Sequence, residues 1–223
     1  MASFFKNSLS SVINKVLNIL LTFITLIVIA RSLGPEGQGE YSFVVQSSRI
    51  FFYFFAFGFP LSMIFYQGRK TFKSHDFLKT YFLLHLLLII VSYISFGSFV
   101  FLFYDEFFEG ISKSEILVGS FALIGWFLTS YINSTYAGLE KFQRMNFIQA
   151  SQPFSLFTVV GVLYLSGNLS VYHSIQAYAF SMFFSFFVGV YFFIKDKIFY
   201  NVIRAKVDLN IIKQSSIYAF KIY

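Results

Sequence analysis

The sequence contains no cysteine and very little charge, and each absence excludes classes of function. Without cysteine the chain has no disulfide, no thiolate metal ligand and no cysteine nucleophile. Asp, Glu, Lys and Arg make up 12% of the residues, roughly half of their share in soluble globular domains. The three histidines, His75, His85 and His173, have no metal-ligand spacing and belong to no acid–base constellation. We therefore expect no enzyme, no cofactor and no metal site.

The chain is instead rich in apolar residues, which occur in runs long enough to cross a membrane. Crossing a hydrocarbon core of about 30 Å takes roughly 20 apolar residues. Six runs approach that length without a single Asp or Glu: residues 12–29, 41–66, 81–103, 116–138, 147–165 and 171–194. Because lipid offers backbone groups no hydrogen-bond partner, each run is predicted to be a helix. The fold class is therefore an all-α integral membrane protein, a six-transmembrane-helix bundle surrounded by membrane lipids.

Lysine and arginine alternate between the predicted loops, which gives the bundle an orientation. Of the 17 such residues, 12 lie in the amino-terminal arm, the second and fourth loops and the segment after the sixth run, and Lys15 lies just inside the first run on the same side. Only Arg31 and Lys113 lie in the other loops. Cationic loops remain in the cytoplasm, so the amino terminus is predicted to be cytoplasmic. This placement also accounts for the net charge of +7 without a nucleic-acid partner.

The turn between the first two runs carries the most specific motif of the chain. Residues 30–41 read Ala-Arg-Ser-Leu-Gly-Pro-Glu-Gly-Gln-Gly-Glu-Tyr, in which Gly34-Pro35 breaks the first helix. This order, directly after a first membrane helix, resembles the Wzx-type polysaccharide flippases of the multidrug, oligosaccharidyl-lipid and polysaccharide exporter superfamily. The turn Ala-Gly-Leu-Glu-Lys-Phe at residues 137–142 and the polar restart near Leu209 are similar to that family as well.

The resemblance implies an architecture of two six-helix lobes. Residues 1–194 would form the amino-terminal lobe, residues 195–208 a basic cytoplasmic linker, and residues 209–223 the truncated start of a seventh helix. We therefore expect a half-length chain of a two-lobe exporter.

The resemblance also implies a function. Such proteins flip undecaprenyl-diphosphate-linked oligosaccharides across the bacterial cytoplasmic (inner) membrane, for the synthesis of surface polysaccharides such as O-antigen. The implied partners are that lipid-linked oligosaccharide and the polysaccharide polymerase and glycosyltransferases of the same pathway.

Arg49 is the charged residue predicted to lie deepest in a span. It follows Tyr41 by eight residues, which corresponds to a depth of about 12 Å. An arginine there costs about 3 kcal/mol, and the spans contain no carboxylate that could neutralise it. A phosphate would do so, because a guanidinium binds it through paired hydrogen bonds. Lys15, about one turn inside the cytoplasmic edge, is a second candidate, although snorkelling to the headgroups also explains it.

Polar residues recur at steps of three and four along the first, second and fourth runs, which places them on one face of each helix. Such stripes face a bundle interior or a watery cavity, although Ser and Thr alone often only join helices. The further substrate-binding candidates are Asn18, Gln46, Tyr53 and Asn133. The candidate hinges, where glycine or proline weakens a helix, are Gly58, Pro60 and Pro153.

Other functions remain open from the sequence. A peptidoglycan-precursor lipid flippase would also need a cation within the membrane. A drug exporter for cationic compounds would need acids in its spans, and the spans have none. From another class, a non-transporting membrane assembly or scaffold protein would have no use for Arg49.

Overall fold

The computed structural model describes residues 2–222, with side chains from Val12 onward, and every regular element in that range is an α-helix. The prediction of an all-helical protein is thereby confirmed for the described residues. The helices are α1 Ala2–Ala56, α2 Phe59–Gly68, α3 Ser74–Leu102, α4 Tyr104–Phe107, α5 Lys113–Gly138, α6 Phe142–Leu165, α7 Val171–Lys195, α8 Ile198–Arg204 and α9 Leu209–Ile222.

α5 is the central helix of the bundle and packs against α1, α2, α3, α6 and α7. It begins with a capping box, in which the Ser112 hydroxyl accepts from the Glu115 amide and the Glu115 carboxylate accepts from the Ser112 amide. Its glycines let neighbours approach closely. A Cβ at Gly125 would lie 2.5 Å from Cβ of Met182, and Gly189 of α7 meets Ile132 in the same way.

Contacts along α5 give the directions of its neighbours. Residues 125 and 132 of α5 face residues 182 and 189 of α7, so these two helices are parallel. α3 is antiparallel to α5, because Tyr131 donates to the Leu78 carbonyl whereas the Ser120 hydroxyl lies 3.1 Å from that of Tyr93. We call the end with turns 103–112 and 166–170 the acidic end, and the end with turns 69–73 and 139–141 the basic end.

α1 consists of two arms, residues 2–33 and 35–56, separated by Gly34. The angles of Gly34 are φ 70° and ψ −179°, outside the helical region, and Pro35 follows directly. The second arm starts at the acidic end, where a Cβ at Gly37 would lie 3.1 Å from Cγ2 of Val171. This arm then runs parallel to α5.

Length and composition mark five helices as able to cross a membrane, where the sequence predicted six spans. The five are Val12–Ala56, Ser74–Leu102, Lys113–Gly138, Phe142–Leu165 and Val171–Lys195. The first is 45 residues long, about 68 Å if straight, which is roughly twice the thickness of a hydrocarbon core. It contains the first predicted span and most of the second, on either side of Gly34. The count of six spans and the two-lobe fold stay predictions.

The second predicted span, residues 41–66, is divided between the second arm of α1 and α2. Phe57 and Gly58 separate the two with positive φ angles of 36° and 67°. Pro60 lies in the first turn of α2, where a missing amide hydrogen is tolerated. α2 continues beside α5 to its end, and a Cβ at Gly138 would lie 2.8 Å from Cβ of Gln67. The predicted hinge positions Gly58 and Pro60 thus coincide with an interruption between two helices.

The carboxyl-terminal segment packs against the basic end. The predicted linker, residues 195–208, contains the short helix α8, and the amide of Lys206 donates to the Asp76 carboxylate of α3. α9, at the predicted start of a seventh helix, packs against α2 and α3. The Phe65 and Tyr218 rings stack with centroids 4.1 Å apart, and the Ser62 hydroxyl is 3.2 Å from the Ser215 carbonyl oxygen.

Candidate functional site

Arg49 lies on the second arm of α1, level with the middle of α5. Val44 packs directly on Gly119, and the Phe52 ring meets the Phe127 ring at a centroid distance of 4.9 Å. Because both contacts join residues 75 positions apart, the same offset places Arg49 beside Ile124, near the centre of Lys113–Gly138. The half-buried Arg49 is thus far from both ends of the bundle.

The Arg49 guanidinium has aromatic and amide neighbours but no acid. Its Cζ lies 4.8 Å from the centroid of the Trp126 ring, a cation–π distance, and its Nη1 is 3.5 Å from Gln46 Oε1. Arg49 Nε is buried without a hydrogen-bond partner. Among the described side chains the ion pairs are those of Asp196 with Lys141 and Arg144, at the basic end. The charge of Arg49 is therefore uncompensated by any described carboxylate.

Trp126, which Arg49 contacts, also lines a cavity of about 250 Å³ between α5, α6, α2 and the second arm of α1. We call it the polar cavity; it is lined by Phe52, Ile64, Trp126, Thr129, Ser130, Asn133, Ser134, Ala137, Met145 and Gln149.

Two polar atoms of this wall are buried without a partner: Nε1 of Trp126 and Oδ1 of Asn133. Trp126 Nε1 is near the Tyr178 hydroxyl but outside hydrogen-bond geometry. Unsatisfied buried polar atoms cost about 1–3 kcal/mol each, so this wall of the polar cavity is held at an energetic cost.

The predicted substrate-binding residues fall into two groups. Gln46 contacts Arg49, Tyr53 packs beside Trp126 at a centroid distance of 6.5 Å, and Asn133 lines the polar cavity. The structure thus brings Gln46 and Tyr53 together with Arg49 at Trp126, and Asn133 lies farther along the cavity that Trp126 also lines.

Lys15 and Asn18 form the second group, on the first arm of α1. Lys15 is exposed, and Asn18 is half-buried with an unpartnered Oδ1. Neither forms an ion pair or hydrogen bond with Arg49 among the described side chains, so their membership of the site stays a prediction.

Pro153 lies inside α6, and its role as a hinge stays a prediction. This residue is buried inside α6, which continues as one helix from Phe142 to Leu165. Since proline has no amide hydrogen, the Gln149 carbonyl lacks its usual donor one turn later. Gln149 is part of the wall of the polar cavity.

Two residues of the site were not among the substrate-binding candidates predicted from the sequence. Trp126 carries the Arg49 contact, and a signal for it existed: it begins the polar stripe that continues with Thr129 and Asn133, and it is the chain's single tryptophan. Gln149 had no such signal, because only the packing of α6 against α5 brings it to the cavity.

Comparison with known proteins gives one match. A family model described as polysaccharide biosynthesis protein matches residues 4–222, nearly the whole chain, including the second arm of α1 and α5. No curated protein and no solved structure matches the chain.

Proposed function

The chain belongs to the polysaccharide biosynthesis protein family, and we propose that it flips a polyisoprenyl-diphosphate-linked oligosaccharide across the bacterial cytoplasmic membrane. It would act as a transporter rather than an enzyme, with its amino terminus in the cytoplasm. The lipid-linked oligosaccharide would pass between this bundle and a second lobe of similar size. The polymerase and glycosyltransferases of the same pathway would be its neighbours.

The observation that carries the proposal is the uncompensated charge of Arg49 in the middle of the bundle. Bringing an arginine to this depth costs several kcal/mol, and no described carboxylate reduces that cost. A diphosphate headgroup would compensate the charge through two parallel N–H···O bonds. The substrate would thus supply the anion that the chain lacks.

The neighbouring residues have distinct roles in this proposal. The Trp126 ring would support the guanidinium from one face, and the anion would bind from the opposite face. Asn133 and Gln149, farther along the polar cavity, would hydrogen-bond with the first sugar. These groups bind and position the headgroup, and no covalent step is needed.

Transport then requires that the headgroup face each side of the membrane in turn. We propose alternating access, in which the bundle and the second lobe rock about the bound headgroup. The interruption at Phe57 and Gly58 would serve as a hinge, because it lies at the junction of two helices, where hinge motions are commonly absorbed.

A test compares Arg49→Ala with Arg69→Ala in cells that depend on this protein for surface polysaccharide. Both arginines lie over an aromatic ring, Arg69 with Cζ 4.2 Å from the Phe65 centroid, but Arg69 is exposed near the basic end. Losing a charge-assisted hydrogen bond of about 1.5–3 kcal/mol lowers affinity roughly 10- to 150-fold. We therefore expect Arg49→Ala to abolish export and Arg69→Ala to preserve it.

Both variants must reach the membrane at wild-type levels, which immunoblotting of membrane fractions checks. Normal export by Arg49→Ala would overturn the proposal and would favour a scaffold protein instead.

A further inference from the structure

A second cavity, of about 500 Å³, lies between α3 and α5 at the acidic end and shares no residue with the polar cavity. We call it the α3–α5 cleft; it is lined by Tyr93, Phe96, Gly97, Val100, Phe101, Tyr104, Asp105, Lys113, Ile116, Leu117 and Ser120. Its volume falls within the range of about 300–1,000 Å³ typical of small-molecule sites. The proposed transport does not use it.

The interior of the cleft suits an apolar occupant. Its walls consist mainly of aromatic rings and aliphatic side chains, and Phe101 at its edge is 85% exposed. Three hydroxyls belong to its lining residues. Those of Tyr93 and Ser120 lie 3.1 Å apart, Ser120 also donates to the Leu117 carbonyl, and Tyr104 donates to the Ile111 carbonyl. Because each of these hydroxyls already has a hydrogen-bond partner, the interior of the cleft does not require a ligand with hydrogen-bonding groups.

The mouth of the cleft carries two opposite charges that do not pair with each other. Asp105 and Lys113 both line it and are both exposed, yet no ion pair within 4.0 Å joins these two described residues. Lys113 Nζ instead lies 5.2 Å from the centroid of the Tyr104 ring. A ligand with both an anionic and a cationic group would complement this pair.

The surroundings select against ligands of net negative charge. Glu106 and Glu109 lie in the same turn region as Asp105, so the mouth is predominantly acidic. An anionic headgroup would be repelled there, whereas a zwitterion would be accepted.

We propose that the α3–α5 cleft binds a phospholipid whose zwitterionic headgroup carries a phosphate and an ammonium group. One acyl chain fills the cleft, the phosphate contacts Lys113, and the ammonium contacts Asp105. This inference is independent of the proposed substrate, whose diphosphate carries no ammonium group.

Gly97 allows a direct test, because it lines the cleft and a Cβ added there would meet nothing within 4 Å. Gly97→Leu therefore fills the cleft without a clash at the backbone. Gly161, inside α6, has equally open space around its Cβ and lies outside the cleft, so Gly161→Leu is the matched control.

The measurement is native mass spectrometry of the full chain released from nanodiscs. The nanodiscs contain equal amounts of phosphatidylethanolamine and phosphatidylglycerol with identical acyl chains. We expect wild type and Gly161→Leu to retain one phosphatidylethanolamine in preference to phosphatidylglycerol. Displacing even two buried methylene groups corresponds to roughly a tenfold loss of retention, which we expect for Gly97→Leu.

A second variant tests the headgroup separately. Asp105→Asn leaves the cleft open but removes the partner of the ammonium, so we expect total retention to persist while the preference for phosphatidylethanolamine weakens; Glu106 and Glu109 still disfavour the anionic lipid. Equal retention of both lipids by the wild type, or retention unchanged in Gly97→Leu, would overturn the proposal. Unchanged thermal unfolding of each variant shows that the bundle is intact.

Discussion

Arg49 shows how a costly residue is kept inside an apolar bundle. Its insertion costs about 3 kcal/mol on the most lenient scale, and the cation–π contact with Trp126 returns about 0.5–2 kcal/mol at a distance of 4.8 Å. The buried and unpartnered Nε adds a further cost. The free protein therefore holds this cation at a net loss, which binding of an anion would reverse.

We predict that the Trp126 ring contributes to transport by supporting the Arg49 guanidinium. Trp126→Leu removes the cation–π partner and leaves Arg49 without its main support, so we expect transport to fall roughly two- to thirtyfold. Trp126→Phe keeps an aromatic face and should retain most activity. Export of surface polysaccharide at equal protein level measures both variants.

Equal activity of Trp126→Leu and Trp126→Phe would contradict this role. It would show that the ring fills space and does not position the guanidinium.

For single residues, the sequence predicts that Arg49 is unusual but does not predict which side chains surround it. Arg49 is recognisable because any charge within an apolar run is unusual, and the stripe pattern includes Asn133, which lines the polar cavity. The neighbours of Arg49 on α5 and α6 depend on how three helices pack, and no local pattern encodes that packing.

Between α1 and α2, beside the site, the backbone at Phe57 and Gly58 departs from helical geometry. Gly58 has φ 67°, which a residue with a side chain adopts only at a cost, and a Cβ there would lie 3.1 Å from the Ala219 carbonyl oxygen of α9. The close approach of α9 thus depends on glycine at this position.

Gly58→Ala is predicted to destabilise the protein. The left-handed conformation alone costs a residue with a Cβ about 1–2 kcal/mol, and the contact with Ala219 adds to it. Gly161→Ala, in the open interior of α6, should instead be neutral or stabilise by up to about 1 kcal/mol. Thermal unfolding in detergent compares the two directly.

A midpoint for Gly58→Ala at or above that of Gly161→Ala would show that the helix interruption is not held in this conformation.

Helix positions follow from the apolar runs, but helix continuity does not. The run at residues 41–66 is apolar throughout, so hydropathy treats it as one span. Glycine at position 58 signals a weak point, whereas the actual interruption also requires the positive φ of Phe57 and the packing of α9. α8 was missed altogether within the predicted linker, because its seven residues are too few for a periodic signal.

For the whole molecule, the distribution of charge between the two ends predicts the topology. Because cationic loops remain in the cytoplasm, the basic end should be internal and the acidic end external. The absence of cysteine allows this to be tested with single-cysteine variants on an otherwise unreactive chain.

Glu36→Cys and Glu109→Cys, both exposed at the acidic end, should react with a membrane-impermeant maleimide in intact cells. Lys73→Cys, exposed at the basic end, should react only after permeabilisation. Ala2→Cys distinguishes six spans from five. Six spans place the amino terminus on the same side as Lys73, so Ala2→Cys should also react only after permeabilisation. Labelling of Ala2→Cys in intact cells would contradict the predicted six spans.

The central claim is that Arg49 binds the diphosphate of the transported lipid, and ligand-dependent thermal stability of the purified full chain tests it most directly. Undecaprenyl diphosphate is compared with undecaprenol, which has the same tail without phosphate. We predict that the diphosphate lipid raises the unfolding temperature of the wild type well above the effect of undecaprenol, because ligands that bind only the folded state stabilise it. Arg49→Leu should respond equally to both lipids. An equal response of the wild type to both lipids, or a full diphosphate response in Arg49→Leu, would contradict the account.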